Sequence, residues 1–369
     1  MIAVLNCSYV PLVDAAPLIV AKELGYAEEE GIHLNLSKET SWSSLRDKLM
    51  YGVIDAAHML APLAVSLAKQ GVIVPQVLSL NGNCFVAGDE LAAYLHERAM
   101  RFNDAACLGQ CLVSRGRVRI GVPFLASMQA LLLRYLVRKS GADPDLVLDF
   151  VVSPPSLMGA KLQNGEIECF MVGEPWGSLA VAQGLGQIFL TSSAVWQGAP
   201  EKVLAISPNV LNMKSSQIFA LMRACARAGR WLSENRDPGA VAELLAKPDH
   251  LDCAAELLEH SLSGRFILNE QGHYGIDKRA LVFGGPEVSF PWVSQSAWIA
   301  QEMQIDLAQS HVGFRPDLYR AALESLGGAM PAASSKLEGA LCHPRAVSAN
   351  KDLVLGPDAF FDGQIFDPD

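Results

Sequence analysis

Four places in this chain carry side chains suited to holding a small ligand: an indole at Trp42, an imidazole at His58, a primary amide at Gln129, and the turn Gly173-Glu174-Pro175-Trp176. Each is read as following a short apolar run and opening a helical stretch. At such a junction the first helical N–H groups are unpaired and the positive end of the helix dipole faces outward, which favours an anion. Trp42 adds a flat apolar wall with one N–H donor, and Gln129 adds an amide donor. His58 adds a donor whose charge changes near neutral pH. Each also has a plain structural reading. A single Trp after a strand packs, and a His within Ala56–Leu60 is a core histidine. Glu174-Pro175-Trp176 initiates a helix, with Pro near N1 and an acid in the first turn.

Catalytic signatures are missing. The chain has no G-x-S-x-G, no phosphate-binding P-loop, no H-E-x-x-H and no dinucleotide fingerprint. His58 with Glu174 is the one pair available for acid–base work, and no motif supports it, so a binding protein is expected rather than an enzyme. The eight cysteines include no C-x-x-C and no Cys pair followed by a His pair, so they read as reduced thiols without zinc or another cofactor. Cys107 and Cys111 stand four apart, on one face of any helix that includes them, and read as two small apolar residues.

The elements that position these residues alternate. Ile2–Leu5, Ile32–Leu36, Val53–Ala57 and Pro75–Leu80 read as strands, separated by helices over Asp14–Gly25, Ser43–Tyr51 (N-cap Ser41) and Ala61–Lys69. A second α/β unit follows, with strands Val118–Val122, Leu148–Val152, Cys169–Val172 and Gln187–Leu190. Its helices are Ser127–Ser140 and Leu157–Asn164. Asn81–Gly116 reads as an elaborated crossover or a loop over a cleft, helical near Glu90–Met100. Val203–Ile206 returns the chain to the first unit. Asp306–Asp369 is a wrapping tail with one helix near Asp317–Leu326. The expected boundaries are 1–83 and 202–310 for one lobe, 84–201 for the other and 311–369 for the tail. Two such α/β lobes, joined by a there-and-back crossing, enclose a cleft that binds small molecules and closes by hinge motion. Carboxyl-edge loops in these sheets face the crevice.

Composition narrows the function. Of 369 residues, 50% are hydrophobic and 18% charged, which excludes a disordered chain. Lys plus Arg number 29 against 39 Asp plus Glu, a net charge of −10. A basic nucleic-acid groove is therefore not expected. No apolar run approaches the ~18 residues of a spanning helix. Met59–Ala68 is the best, and it contains Pro62 and Ser66. The N-terminus has neither a basic region nor an apolar signal core, so a cytoplasmic protein is expected.

Several blocks resemble one family. Leu12–Tyr26, Trp42–Leu49, Asp55–Pro62, Val172–Trp176 and Ser289–Gln295 followed by Trp298 are similar to the nitrate/bicarbonate substrate-binding proteins of ABC transporters, the NrtA/CmpA type. Phe314–Tyr319 and Phe360–Pro368 resemble the cytoplasmic nitrate/nitrite sensors of the NasS branch. The resemblance spans nearly the whole chain. It implies an α/β, bilobal type II periplasmic-binding-protein-like fold. It also implies a cytosolic sensor that binds nitrate or nitrite and releases an RNA-binding antiterminator of the ANTAR type. A substrate-binding component of an ABC importer is the alternative. Carried across, Trp42 matches an anion-contacting Trp, Gln129 an amide contact from the second lobe, and His58 a block bordering the ligand. Two positions depart: Ala199 stands where transporter relatives place a His, and Val293 where relatives place the Lys or Arg that is the anion's main counter-charge. Lys202 and Arg134 are the substitute cations considered.

Overall fold

The computed structural model describes residues 3–305, 313–327, 329–346 and 353–368. The chain first builds β1 (Ala3–Tyr9), β2 (Ile32–Lys38), β3 (Ala56–Leu60) and β4 (Ile73–Asn81). It then crosses to β5 (Asn83–Ala87), β6 (Val118–Val122), β7 (Leu148–Val152), β8 (Cys169–Gly173) and β9 (Gln187–Thr191), and returns through β10 (Pro200–Ile206). Beyond the short pair β11 (Arg265–Ile267) and β12 (Tyr274–Ile276), β13 (Leu281–Val282) adds an edge strand. The first sheet has the order β13-β4-β10-β3-β1-β2, and the second β7-β6-β8-β5-β9. β1 runs parallel to β2 and β3, whereas β10 lies antiparallel between β3 and β4. In the second sheet β6 is parallel to β7 and β8, and β5 is antiparallel to β8 and β9. This is the mixed α/β, two-sheet architecture expected from the alternation.

Local chemistry explains the helix starts that face the crossing. Ser41 Oγ accepts the Ser44 N–H at 3.2 Å and opens the helix Trp42–Met50. Ser127 Oγ accepts the Ala130 N–H at 3.2 Å and opens Met128–Lys139. Both side chains satisfy N–H groups that the helix cannot pair itself. The two crossings are stitched together. Asn81 N–H donates to the Ala199 carbonyl at 2.9 Å, and Asn81 Nδ2 to the Gln197 carbonyl at 2.9 Å. Gly82 follows with φ +104°, a conformation that favours glycine, and a Cβ there would stand 3.1 Å from Leu281 Cδ1.

One strand expectation is corrected, and one strand was not foreseen. β3 is not Val53–Ala57 but Ala56–Leu60, buried throughout. Val53 is 62% exposed in a turn whose N–H returns to the Lys48 carbonyl at 2.9 Å. Burial on both faces, rather than β-branching, selects the strand. Of the two readings of Asn81–Gly116, the structure shows the elaborated crossover, helical as expected near Glu90–Met100. It holds β5, which lies between β8 and β9, the helix Asp89–Glu97 and a second helix, Ala105–Arg115. The apolar run Cys84–Ala87 is only four residues long, too short for its periodicity to separate strand from loop.

The tail has the expected helix at Pro316–Leu323, and the rest of the expected span 306–369 lies partly outside the described residues. Phe360 packs among Trp196, Tyr135 and Trp298, with ring centroids 4.8, 5.2 and 5.8 Å away. Beside it Asp358 Oδ1 accepts the Trp196 indole N–H at 2.6 Å, and the partly buried Lys336 ion-pairs with Glu338 and Asp358. Among the described residues no helix is long and apolar enough to cross a membrane.

Candidate functional site

The most concentrated buried polar chemistry near the two crossings is a cluster drawn from both sheets. Asp14 comes from the 3₁₀ turn Val13–Ala15, His58 from β3, and Glu201 with Lys202 from β10. Asn83 comes from β5 and Gln129 from the first turn of Met128–Lys139. Lys202 is fully buried, its Nζ 2.6 Å from Asp14 Oδ2 and 2.7 Å from Glu201 Oε1. His58 Nε2 lies 3.2 Å from Asp14 Oδ1, with both side chains closed off from solvent. Asn83 Nδ2 donates to Glu201 Oε2 at 2.6 Å, and Gln129 Nε2 donates to Asn83 Oδ1 at 2.5 Å and Glu201 Oε1 at 3.2 Å. Trp42 roofs the cluster: Lys202 Nζ is 5.5 Å from its ring centre, and the His58 ring 6.3 Å.

The charges sort by partner. Burial opposes the charge on Asp14, but Lys202 and then His58 outweigh it and hold this carboxyl below its ordinary value. Burial likewise opposes the Lys202 ammonium, and Asp14 with Glu201 more than restores it, so the lysine is a fixed cation. Burial pushes Glu201 up, against the pull of Lys202. Three N–H donors nevertheless converge on its two oxygens, the arrangement that satisfies a carboxylate. Six buried polar atoms in this cluster have no hydrogen-bond partner: Trp42 Nε1, both His58 ring nitrogens, Gln129 Oε1 and the two Asp14 oxygens, the last held by ion pairing with Lys202 and His58. Buried polar groups are ordinarily paired, so unpartnered atoms gathered in one place mark a candidate position for a bound group or water.

The structure therefore brings Trp42, His58 and Gln129 into one cluster, 2%, 0% and 1% exposed. His58 is there by a different route from the one expected. It sits inside β3, paired with Leu204, not in a loop at the carboxyl edge, because the helix Ala61–Ser66 begins directly after the strand. Glu174 turns elsewhere: Oε1 accepts the Cys84 Sγ–H at 2.9 Å, and Oε2 the Ser178 N–H at 3.3 Å. It thus caps the helix Trp176–Ala182, and burial raises its carboxyl. Gly177 permits the approach, since a Cβ there would lie 2.0 Å from Cys84 Sγ. His58 faces Asp14 and not Glu174, so the acid–base pair is not formed. Trp176 opens its helix with its indole nitrogen buried and unpartnered, packed on the core beside that cap.

Val293 opens the helix Val293–Glu302, and its N–H donates to the Ser334 carbonyl of the tail at 2.9 Å. The structure ties this position to the tail, and the cation at the cluster is Lys202. Arg134 is engaged on the surface with Asp145 at 2.7 Å. Ala199 is buried at the crossing, where its carbonyl accepts from Asn81. Cys107 and Cys111 share one helix face with Sγ atoms 4.0 Å apart, and all eight cysteines are free thiols. Sequence reading passed over Asp14, Asn83 and Glu201 and weighed Lys202 only as a substitute. The available signal was an acid–lysine pair inside the apolar run Pro200–Ile206.

Comparison with known proteins agrees with this architecture. Residues 3–246 match the NMT1-like family. The nitrate import ATP-binding protein NrtC of Synechocystis sp. is 30% identical over 88% of this chain and 50% of its own length. The bicarbonate-binding protein CmpA of Synechococcus elongatus is 24% identical over 99% of this chain and 84% of its own. The chain spans about half the length of the ATP-binding relatives it matches. Among solved structures, the periplasmic nitrate-binding protein NrtA from Synechocystis PCC 6803 superimposes with a TM-score of 0.84 at 24% identity, over 100% of this chain and 96% of that one. With two-thirds of its length matched and its two-sheet fold shared, the chain belongs to the NMT1-like family and has a periplasmic-binding-protein-like fold.

Proposed function

We propose that this protein binds a small oxyanion, nitrate or nitrite in the first instance, between its two sheets. The observation that carries the reading is the buried, unpartnered Trp42 Nε1–H beside the fixed Lys202 cation, closed from the second sheet by Gln129. An anion entering a dry site needs such donors to offset its lost hydration. The protein acts as a receptor and not a catalyst: its ionisable groups are spent on one another rather than poised around a reacting atom.

The biological role that fits best is a cytoplasmic sensor that holds an ANTAR-type antiterminator in one ligand state and frees it in the other. The tail supports it, since Phe360 packs against Tyr135, Trp196 and Trp298 and so ties the tail to the helices Met128–Lys139 and Val293–Glu302. A component of an ABC importer is the second reading, favoured by the match to half of NrtC.

A thermal-shift series with nitrate, nitrite, hydrogencarbonate and sulfate tests the binding. A ligand at 100 times its Kd adds about 2.7 kcal/mol of stability. Gel filtration with the cognate ANTAR protein tests the role: a complex dissolved by the anion supports the sensor. A complex indifferent to every anion overturns the switch, and no complex favours the importer.

A further inference from the structure

We infer that Cys107 and Cys111 are a reversible dithiol–disulfide site, which a low-molecular-weight disulfide closes into a bridge with loss of the helical turn between them. None of the residues of the oxyanion cluster takes part.

Both cysteines stand in the helix Ala105–Arg115, with their Sγ atoms 4.0 Å apart. Among the described residues no other two thiols make such a contact with one of them open to solvent. Cys7 and Cys225 lie near one another, but both are buried. Cys253 and Cys342 reach solvent as single thiols. Reading the pair as two small apolar residues holds for Cys111, which is 4% exposed, and not for Cys107, which is half-buried. Burial, and then Cys107, push the Cys111 thiol up to about 11 against the pull of Arg98. Access therefore gives the first attack to Cys107, and proximity gives the second to Cys111.

The exchange balances in two steps. The Cys107 thiolate attacks one sulfur of the incoming disulfide and expels a thiolate, which leaves a mixed disulfide. Cys111 then loses its proton to solvent and attacks Cys107 Sγ, and the second thiolate leaves. Two cysteine S–H bonds and the reagent's S–S bond are broken. One protein S–S bond and two reagent S–H bonds are formed. The cysteines give up two electrons and the reagent takes them.

Geometry says what the bridge does to the helix. Side chains four apart on a helix have Cβ atoms about 5–6 Å apart, whereas a disulfide needs about 3.5–4.5 Å. The bridge cannot close on the intact turn, so one end must yield. The later end is held. A Cβ at Gly109 would collide with Ser140 Oγ, Gln110 Nε2 donates to the Ser140 carbonyl at 3.3 Å, and the Tyr94 hydroxyl donates to the Cys111 carbonyl at 3.3 Å. The earlier end rests on an exposed cap, in which Asp104 Oδ1 accepts the Cys107 N–H at 2.9 Å. That cap is the bond given up.

The test treats the protein carrying Cys253→Ser and Cys342→Ser with glutathione disulfide, quenches it with acid and alkylates it in denaturant. The expected result is two alkylated thiols fewer, the mass of two hydrogen atoms lost, a Cys107–Cys111 bridge by peptide mapping, and full reversal by dithiothreitol. Cys111→Ser should stop at the mixed disulfide, with one glutathione retained on Cys107. Amide exchange over 107–111 should quicken at least about tenfold in the oxidised form, as local opening becomes easier. Glutathione that stays on Cys107 while Cys111 is present, or two thiols still free, overturns the site. A bridge with unchanged exchange overturns the loss of the turn. Peptide mapping of the unaltered chain reads the same bridge even if the serine variants fold poorly.

Discussion

Lys202 Nζ stands 2.6 Å from Asp14 Oδ2, with the two side chains 0% and 2% exposed and 188 positions apart in sequence. This contact joins the N-terminal turn to the strand on which the chain returns from the second sheet. It places the one buried cation of the cluster under Trp42.

Removing that cation leaves Asp14 and Glu201 as buried, uncompensated carboxylates. Lys202→Met is expected to destabilise the protein by about 3–5 kcal/mol, the usual consequence of breaking a buried ion pair from one side. Adding Asp14→Asn to Lys202→Met should recover part of the loss, because one stranded charge goes with it. Urea denaturation of the two variants checks both the size and the recovery.

Trp42→Phe retains the apolar roof and removes the Nε1–H, which has no partner inside the protein. Folding stability should change little. Oxyanion affinity should fall by about 1.5–3 kcal/mol, the range for a hydrogen bond to a charged group, or roughly tenfold to a hundredfold. Calorimetry with thermal denaturation of the unliganded variant separates the two. Equal affinity in variant and wild type would remove the indole from the site.

The tail carries a pH dependence of its own. Burial pushes the Glu338 carboxyl up to about 8, against the pull of Lys336. A carboxyl that holds its proton more tightly when folded adds stability that is complete below its unfolded value, about 4.3, and is lost as pH rises through its folded one. Stability should therefore decline between about pH 5 and pH 8.5, and Glu338→Gln should flatten the decline. Asp358, held low by Lys336 despite its burial, gives the opposite slope, confined to pH below about 4. Thermal midpoints across this range for wild type and Glu338→Gln check the sign.

Phe360 fills the space between Trp196, Trp298 and Tyr135. Phe360→Ala should lower stability by about 3–5 kcal/mol through loss of buried ring area and the cavity left behind. Water entering beside the two indoles should move tryptophan emission to longer wavelength. An unshifted spectrum with an unchanged midpoint would mean that the tail does not hold this junction.

Much of the secondary structure follows from residues close together in the chain. The bounds of β6 and β7 are those the apolar runs Val118–Val122 and Leu148–Val152 mark, and Ser41 is the N-cap its position suggests. Hydrophobic periodicity and capping act over one or two helical turns, so a single sequence displays them. β5 and the true position of β3 were hidden because strand choice there depends on which neighbours bury the segment. The alternation of elements sufficed for a two-sheet α/β protein. Only the tertiary structure decided which polar groups meet. Asp14, Asn83, Gln129 and Lys202 come from four separate elements, and their pairing depends on distances across the crossing that no local pattern encodes. A charge in an apolar run looks alike on the page whether it reaches water or a partner, and burial among opposite charges is settled only when the chain has folded.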